Sequence, residues 1–218
     1  TYEAKKAGKT ILFEGAQATL LDIDFGTYPY VTSSHPLSAG VCTGTGVGPM
    51  TIDAIYGVAK AYTTRVGKGP FPTELNDETG DYIRNKGGEF GTITGRPRRT
   101  GWFDSVIVRH AVRVNGLSSL VINKLDTLAG LDTLKVCVAY KKPDGTIIKD
   151  FPPTLEGLEG CEPVYEEFKG FTDDLSACRK FEELPEVCRK YISRLEELCE
   201  CPISMVGVGP DRAQVIER

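Results

Sequence analysis

The sequence has little of what metal centres and disulfide frameworks are built from. It contains only two histidines, and its seven cysteines are an odd number without the spacing of zinc fingers or disulfide scaffolds. Cys199 and Cys201, for example, are separated by a single residue. These absences argue against a zinc module or a small disulfide-stapled fold, and they indicate a protein of the reducing cytosol.

Long apolar runs are missing as well. No stretch approaches the length of a membrane span, and the first residues, TYEAKKAGKT, do not form a signal peptide. They contain no methionine and are typical of a helix entered in its middle, so we expect the chain to belong to a longer polypeptide. The 26 basic and 30 acidic side chains give a net charge of −4, which argues against a general nucleic-acid or membrane-surface protein.

A phosphate loop of the P-loop type is also absent. The glycine-rich residues 40–49, GVCTGTGVGP, lack the terminal Lys-Ser/Thr pair and do not form a GxGxxG fingerprint, so they are a weak nucleotide signal. Pro49 suits the first turn of a helix, and the apolar spacing of TIDAIYGVAKAY after it predicts that the helix continues.

The densest concentration of functional side chains lies in residues 91–104, GTITGRPRRTGWFD. Pro97 stiffens a loop, which we call the arginine loop, that carries Arg96, Arg98 and Arg99. Guanidinium groups bind carboxylates and phosphates bidentately. The run therefore predicts an anion clamp, although a solvated basic turn or a nucleic-acid patch fits the same letters. We expect Trp102 and Phe103 to anchor the loop in the core, and we expect a helix from residue 104 to residue 115 with an aspartate cap.

A second motif follows a predicted buried strand at residues 119–122. The letters NKLD match the NKxD pattern, in which the Asp126 carboxylate accepts hydrogen bonds from the guanine N1–H and amino group, and the Lys124 stem lies along the ring. Adenine would leave the carboxylate unpaired, so such a site rejects it. An ordinary turn at a strand end is the alternative interpretation.

Two further polar clusters are weaker signals. A buried strand is predicted at residues 10–13, and Gln17 shortly after it could contact a purine edge, hold an oxyanion or cap a helix. Thr32, Ser33 and Ser34 could bind a phosphate, but such clusters also form turns and caps.

The remaining pattern predicts an α/β protein. Strands are expected at residues 59–66 and 203–206, helices at 77–86 and 185–200, and a hairpin at 134–140 and 146–148. Residues 152–183 show no regular pattern and are predicted to be irregular.

Taken together, these segments resemble the adenylosuccinate synthetase family, the GTP-dependent ligases that join aspartate to IMP. The matching stretches occur in the family's order and spacing and extend over essentially the whole chain: FEGAQATLLDIDFGTYPYVTSS, GVGP, TRVGKGPFPTE, GTITGRPRRTGWFD, NKLD and GPDR. Two departures are Ala18, where glycine is usual, and Gly207, where some members have serine; neither removes an evidently required charge or donor.

The resemblance implies a role for each matched position. Gln17 would contact the IMP base and its 6-phosphoryl intermediate, Thr32 the IMP 5′-phosphate, and the Val66 backbone the ribose. The family's aspartate loop corresponds to Thr92, Ile93, Thr94, Gly95, Arg96, Pro97 and Arg98. Arg96 would also touch IMP, and Arg98 would also reach GTP. Gln17 and Arg96 would support the transition state. The guanine site would comprise Lys124, Leu125, Asp126, Gly207, Val208 and Gly209.

The family also uses a lysine-containing phosphate loop, an aspartate that acts as base and binds Mg²⁺, and a catalytic histidine, none of which matches this sequence. The resemblance therefore implies the C-terminal half of the enzyme, with the catalytic base, histidine and Mg²⁺ ligands elsewhere and no metal ligand in this chain. It implies the end of a central mixed sheet in residues 1–58 and a C-terminal α+β subdomain in residues 59–218. It further implies a cytoplasmic homodimer without nucleic-acid or membrane partners.

Two functional hypotheses from other classes remain. The chain could be a non-catalytic guanine-nucleotide-binding or interaction module, because it carries guanine and aspartate elements without the phosphate machinery. An RNA-binding protein that uses the arginine loop is disfavoured by the acidic balance and by the lack of interleaved basic and aromatic residues.

Overall fold

The computed structural model describes residues 1–92 and 95–218. Within them, a mixed sheet is formed by β1 (Tyr56–Lys60), β5 (Ser119–Asn123), β9 (Ile203–Gly207) and β10 (Val215–Glu217), in that order. The first three strands run parallel and β10 is antiparallel to β9. Because their carboxyl ends meet at one edge, the loops after residues 60, 123 and 207 lie side by side. The predicted strands at 119–122 and 203–206 are confirmed.

A second sheet contains β4 (Phe103–Asp104), β6 (Leu131–Lys141), β7 (Ile147–Ile148) and β8 (Glu162–Phe171). Strands β6 and β7 form the predicted hairpin, with Tyr140 opposite Ile148. The prediction that residues 152–183 are irregular is wrong, because β8 pairs with β6 from Leu131↔Phe171 to Lys141↔Glu162. Its register is broken by a bulge near Cys137, and its charged outer face hides the alternation expected of a half-buried strand.

The single strand predicted at residues 59–66 is two strands. β1 ends at Lys60, the chain bends through the buried residues Ala61 and Tyr62, and β2 (Thr63–Arg65) then pairs with β3 (Arg99–Gly101). This ribbon positions the arginine loop, because β3 begins directly after Arg98. The change of partner sheet at residue 61 is a tertiary effect that a continuous β-favouring sequence does not reveal.

Three longer helices pack on the sheets: α3 (Glu78–Gly87), α4 (Ser105–Asn115) and α5 (Glu186–Cys199). Each agrees with its predicted position within two residues. The Asp104 carboxylate caps α4 by accepting hydrogen bonds from the Val106 and Ile107 amides at 3.0 and 3.1 Å, as expected. On α5 the predicted apolar stripe is buried in the core, including Cys188, Tyr191, Ile192, Leu195 and Cys199.

The first 55 residues contain only short helices, α1 (Tyr2–Lys6) and α2 (Ala39–Thr45), and isolated turns. The predicted strand at 10–13 is wrong: Leu12 is 87% exposed, and no strand among residues 1–92 and 95–218 pairs with this segment. The helix predicted from Pro49 is also wrong, because a single 3-10 turn, Pro49–Thr51, leads into β1. The predicted domain division between residues 58 and 59 falls within β1 and stays a prediction.

The helices of the described residues are all too short or too polar to cross a lipid bilayer.

Candidate active site

The predicted guanine-site residues lie in loops that follow the carboxyl edge of the parallel strands, where α/β sheets commonly bind ligands. Lys60 ends β1, Lys124 follows β5, and Gly207 ends β9. The Ala61 amide donates to the Asn123 carbonyl at 2.8 Å, which extends the pairing of β1 and β5 into these loops. The sheet thus brings together the two predicted guanine segments, which are more than 80 residues apart in sequence.

The NKLD segment forms a short turn rather than a continuation of the strand. Lys124 has a left-handed backbone with φ of 61°, and Leu125–Leu128 form a 3-10 helix anchored by the fully buried Leu125. The Lys124 ammonium donates to the Gly87 carbonyl at 2.6 Å. Oδ1 of Asp126 is buried and has no hydrogen-bond partner among the described residues. Because an unpaired buried carboxylate oxygen is costly, this atom is suited to accept a hydrogen bond from a ligand.

The segment of Gly207, Val208 and Gly209 offers backbone rather than side chains. Val208 is fully buried, and its amide donates to the Gln214 carbonyl at 2.9 Å. A Cβ atom at Gly207 would overlap the Asn123 side chain, and one at Gly209 would overlap the Gln214 amide. A side chain at either position would have to displace the neighbouring amide side chain, and glycine leaves the backbone as the part that a ligand could contact.

The arginine loop is closed at its base. Phe90 and Pro97 form an isolated bridge, and the Gly91 amide donates to the Arg96 carbonyl at 2.8 Å. Thr92, Gly95, Arg96 and Pro97 are exposed, whereas Arg98 is partly buried. The predicted site residues Ile93 and Thr94 lie outside the described residues.

The three arginines of this loop have different surroundings. Arg99 forms a bidentate ion pair with Glu74, with atoms 2.5 and 2.6 Å apart, and donates to the carbonyls of Gly67 and Gly69. The expectation that all three guanidinium groups face a ligand is therefore wrong for Arg99. It fastens the loop at 66–70 to the arginine loop. The presence of Glu74 on a separate segment explains why the local sequence did not reveal this.

Glu89 is a buried carboxylate that sequence analysis missed. It is 1% exposed and lies between α3 and the arginine loop. Its Oε1 accepts from the Tyr62 hydroxyl at 2.5 Å and from the Lys60 ammonium at 2.8 Å, and its Oε2 accepts from Arg98 Nη1 at 2.8 Å. The only local signal is an isolated acid a few residues before three arginines, and no pattern in the sequence indicates that the two pair.

Ser34 links Gln17 and Thr32, the two side chains predicted to contact IMP. Its hydroxyl donates to Gln17 Oε1 at 3.1 Å and lies 2.7 Å from the Thr32 hydroxyl. Thr32 in turn bonds the Leu21 carbonyl through its hydroxyl at 3.0 Å and its amide at 2.8 Å. Gln17 is exposed and has φ of 70°, a left-handed backbone that is uncommon outside glycine and recurs at functional sites.

Arg65 holds the segment that leads to Thr32 against the loop that contains Val66. Although only 9% exposed, its guanidinium donates to four neutral acceptors, the Thr27 hydroxyl and the carbonyls of Tyr30, Lys68 and Pro70, at 2.8 to 3.2 Å. No carboxylate of the described residues forms an ion pair with it. Burial, together with the nearby positive charge of Arg99, lowers the pKa of Arg65. Val66 itself is 70% exposed.

Below the arginine loop, Asp104 and two aromatic residues form a rigid base. Trp102 and Phe103 are 5% and 1% exposed, so the prediction that they anchor the loop is confirmed. Oδ2 of Asp104 accepts from the Tyr140 hydroxyl at 2.6 Å. Burial raises the pKa of the Asp104 carboxyl to about 6, although its hydrogen bonds oppose the shift.

Within residues 1–92 and 95–218, no three His, Cys, Asp or Glu side chains come together in a way that could hold a metal ion.

Comparison with known proteins gives one family. The family model for adenylosuccinate synthetase matches residues 1–216. The adenylosuccinate synthetases of Heliobacterium modesticaldum and Caldanaerobacter subterraneus are 61% and 58% identical over 215 residues, which are 99% of this chain but 50% of each relative. The chain therefore spans about half the length of the curated relatives it matches.

Solved structures agree in fold. The structure of fully ligated adenylosuccinate synthetase from Plasmodium falciparum matches with a TM-score of 0.96 and 44% identity, covering 100% of this chain and 52% of that one. A cyanophage S-2L succinoaminodeoxyadenylate synthetase has a TM-score of 0.55 at 18% identity, over 93% of this chain and 45% of that one, and shows the fold alone. The predicted α/β class, with mixed sheets and flanking helices, is confirmed.

Proposed function

Because the chain belongs to the adenylosuccinate synthetase family, a family of ligases of purine biosynthesis, we propose that it acts in the GTP-dependent joining of L-aspartate to IMP. The products would be adenylosuccinate, GDP and phosphate. One observation carries the proposal: side-chain hydrogen bonds connect the segments of the predicted IMP, aspartate and guanine loops into one proposed ligand face, through Arg65, Arg99, Glu89 and Lys124. Three unrelated surface loops would have no need of such connections.

The guanine end of this face is proposed to be the turn at residues 124–126 with the backbone of 207–209. The unpaired Oδ1 of Asp126 would accept a hydrogen bond from the guanine N1–H or amino group. The Lys124 ammonium is held at the Gly87 carbonyl, which leaves its methylene stem to lie along the base. The glycine at 209 would allow the chain to approach the ring closely.

The middle of the face is proposed to bind aspartate through residues 92–98. Arg96 would neutralise carboxylate charge and, by contacting IMP as well, would support the transition state of the ligation. Arg98 would bridge aspartate and GTP. Gln17 and Thr32, connected by Ser34, would hold the IMP base and 5′-phosphate, and the Val66 backbone would meet the ribose.

In the proposed reaction, the γ-phosphoryl group of GTP is transferred to the 6-oxygen of IMP, and the aspartate amine then displaces phosphate from C6. The catalytic base, the histidine and the ligands of Mg²⁺ would come from outside residues 1–218. We therefore propose that the chain is the C-terminal half of the enzyme and is inactive alone. Residues 1–58 would complete the central domain and residues 59–218 the subdomain. The whole enzyme would be a cytoplasmic homodimer.

The test is the intact mass of the native polypeptide from its source, combined with an assay for adenylosuccinate formation. We expect a mass roughly twice 23.8 kDa, because the relatives are about twice as long, and turnover that stops when GTP, IMP or aspartate is omitted. Omission of each substrate in turn is the control. A full-length polypeptide that binds all three substrates without turnover would contradict the ligase proposal.

The unpaired Asp126 oxygen also supports a second candidate, a non-catalytic guanine-nucleotide-binding module. That candidate predicts a native mass of 23.8 kDa, no turnover, and GTP binding that Asp126→Ala abolishes.

A further inference from the structure

We propose that Glu89 is a positioning residue that fixes Arg98 for its ligands and couples the arginine loop to the guanine turn. The inference deepens the proposed function and rests on it for the identity of the ligands. Glu89 lies at the end of α3, between the left-handed Gly88 and the base of the arginine loop. Its side chain is 1% exposed, so it is placed to act through its neighbours rather than on a ligand directly.

The geometry at Arg98 is constrained from both backbone and side chain. The Arg98 amide donates to the Glu89 carbonyl at 2.9 Å, and its Nη1 donates to Glu89 Oε2 at 2.8 Å. The Arg98 carbonyl accepts from Arg84 Nε at 2.9 Å. One residue thus holds both the main chain and the guanidinium of Arg98, while the arginine side chain stays 31% exposed toward solvent.

The charge of Glu89 is shared between two cations. Lys60, at the end of β1, contacts Oε1 at 2.8 Å, and Arg98 contacts Oε2. Burial acts to raise the pKa of the Glu89 carboxyl, but the hydrogen bonds and charges of Lys60, Tyr62 and Arg98 hold it below its usual value. The carboxylate therefore remains ionised at neutral pH. Removing its charge would leave two partly buried cations facing each other without a counter-ion.

The same short segment also reaches the guanine turn. Two residues before Glu89, the Gly87 carbonyl accepts from the Lys124 ammonium at 2.6 Å. A Cβ atom at Gly87 would overlap the Tyr62 hydroxyl, which is itself bonded to Glu89. Residues 87–89 therefore set the positions of Lys124 and Arg98 together. A ligand that shifts this segment at Arg98 would therefore also shift Lys124, and the reverse.

Two measurements on the native polypeptide test the proposal. The first is the rate at which phenylglyoxal modifies Arg98, followed by peptide mass mapping, which needs no assumption about function. We expect Glu89→Gln to raise the Arg98 rate about tenfold and to leave Arg99, which is paired with Glu74, unchanged. Glu166→Gln is the control: it removes the β8 partner of Arg194 on α5, which keeps Glu197 as a second partner at 2.6 Å, and it should leave the Arg98 rate unchanged.

The second measurement is a double-mutant cycle on GTP affinity by titration calorimetry. We expect Glu89→Gln to weaken GTP binding about tenfold in the parent protein and less than twofold in Arg98→Ala, because its effect passes through Arg98. Equal losses in both backgrounds would mean a merely structural role and would overturn the proposal. If Glu89→Gln does not fold, Lys60→Met combined with Glu89→Gln removes a cation with the carboxylate, and the same comparison is made.

The two measurements distinguish failure of the proposed function from failure of the positioning role. A parent protein that binds no GTP would overturn the proposed function and, with it, the coupling of Arg98 to the guanine turn. An Arg98 rate that Glu89→Gln leaves unchanged would overturn the positioning role itself, whatever the ligands are.

Discussion

Replacement of Asp126 by asparagine should change the base preference of the proposed guanine site from guanine to xanthine. The two bases share the N1–H donor, but guanine carries an amino group at C2 where xanthine carries a carbonyl oxygen. A carboxylate accepts from both guanine donors. Asparagine offers one acceptor and one donor, which matches the donor and acceptor of xanthine.

The magnitude follows from the surroundings of Asp126. Its Oδ1 is buried and has no partner among the described residues, so a lost ligand contact is not replaced from within that part of the protein. A hydrogen bond to a charged group contributes about 1.5–3 kcal/mol. Asparagine loses one such bond to guanine and turns a donor toward the amino group. We expect GDP affinity to fall by about 2–3 kcal/mol, or roughly 30- to 150-fold.

Titration calorimetry with GDP and XDP measures the affinity for each base. We expect the parent protein to prefer GDP and the Asp126→Asn protein to prefer XDP. Asp132→Asn, at an exposed position near the start of β6, is the matched control and should leave both affinities unchanged. If Asp126→Asn weakened GDP and XDP equally, the carboxylate would not contact the base, and the assignment of this turn would be refuted.

Three further substitutions test other parts of the structure. Burial raises the pKa of Asp104 to about 6 from 3.8. As the pH falls, the carboxyl is therefore protonated in the folded state before it is protonated in the unfolded state. Stability should then fall by roughly 3 kcal/mol as the pH rises from about 4 to 6, and Asp104→Asn should abolish that slope in urea unfolding. Gly87→Ala should destabilise the fold by about 1–3 kcal/mol in the same assay because its Cβ overlaps Tyr62, whereas Gly44→Ala, in open space on a helix, should not. Ser34→Ala, which removes the hydroxyl between the two predicted IMP contacts, should raise the KM for IMP about fivefold and leave the KM for GTP unchanged, and a parallel rise in both would contradict its local role.

Elements with local signals were predictable from the sequence. Helix α4 has a capping aspartate at its start and Gly116, with φ of 62°, at its end. Helix α5 repeats its apolar residues with helical spacing over 14 residues. In both cases the residues that determine the element lie within it or beside it.

The errors occur where distant contacts decide between two local possibilities. Residues 51–62 suit either a short helix or a strand, and pairing of Tyr56–Lys60 with β5 favours the strand. Strand β8 is determined by its long register with β6, about 30 residues earlier in the chain. No pattern within residues 162–171 contains that information, since the exposed residues Glu162, Glu167 and Lys169 do not alternate regularly with buried ones along the whole strand.

The candidate site divides in the same way. The loops themselves were predicted from motifs, because NKLD and GRPRR carry recognisable chemistry in consecutive residues, and their roles stay predictions. The side chains that connect the loops were not found, because the partners are 25 to 38 residues apart: Arg99 with Glu74, and Arg65 with Thr27. Recognition of a ligand loop from sequence is therefore easier than recognition of what holds it.

The arginine run also shows why a basic motif overstates the positive charge that a protein presents. Glu74 neutralises Arg99 at 2.5 Å, and Glu89 shares its charge between Arg98 and Lys60. Glu74 comes from a separate segment and Glu89 lies just before the loop, so the arginine run alone shows three positive charges where the folded loop presents fewer. A nucleic-acid groove needs unpaired cations spread along a backbone, since its affinity comes from displacing counter-ions. A loop in which two of three guanidinium groups are oriented by buried or half-buried carboxylates is better suited to position a single small anion.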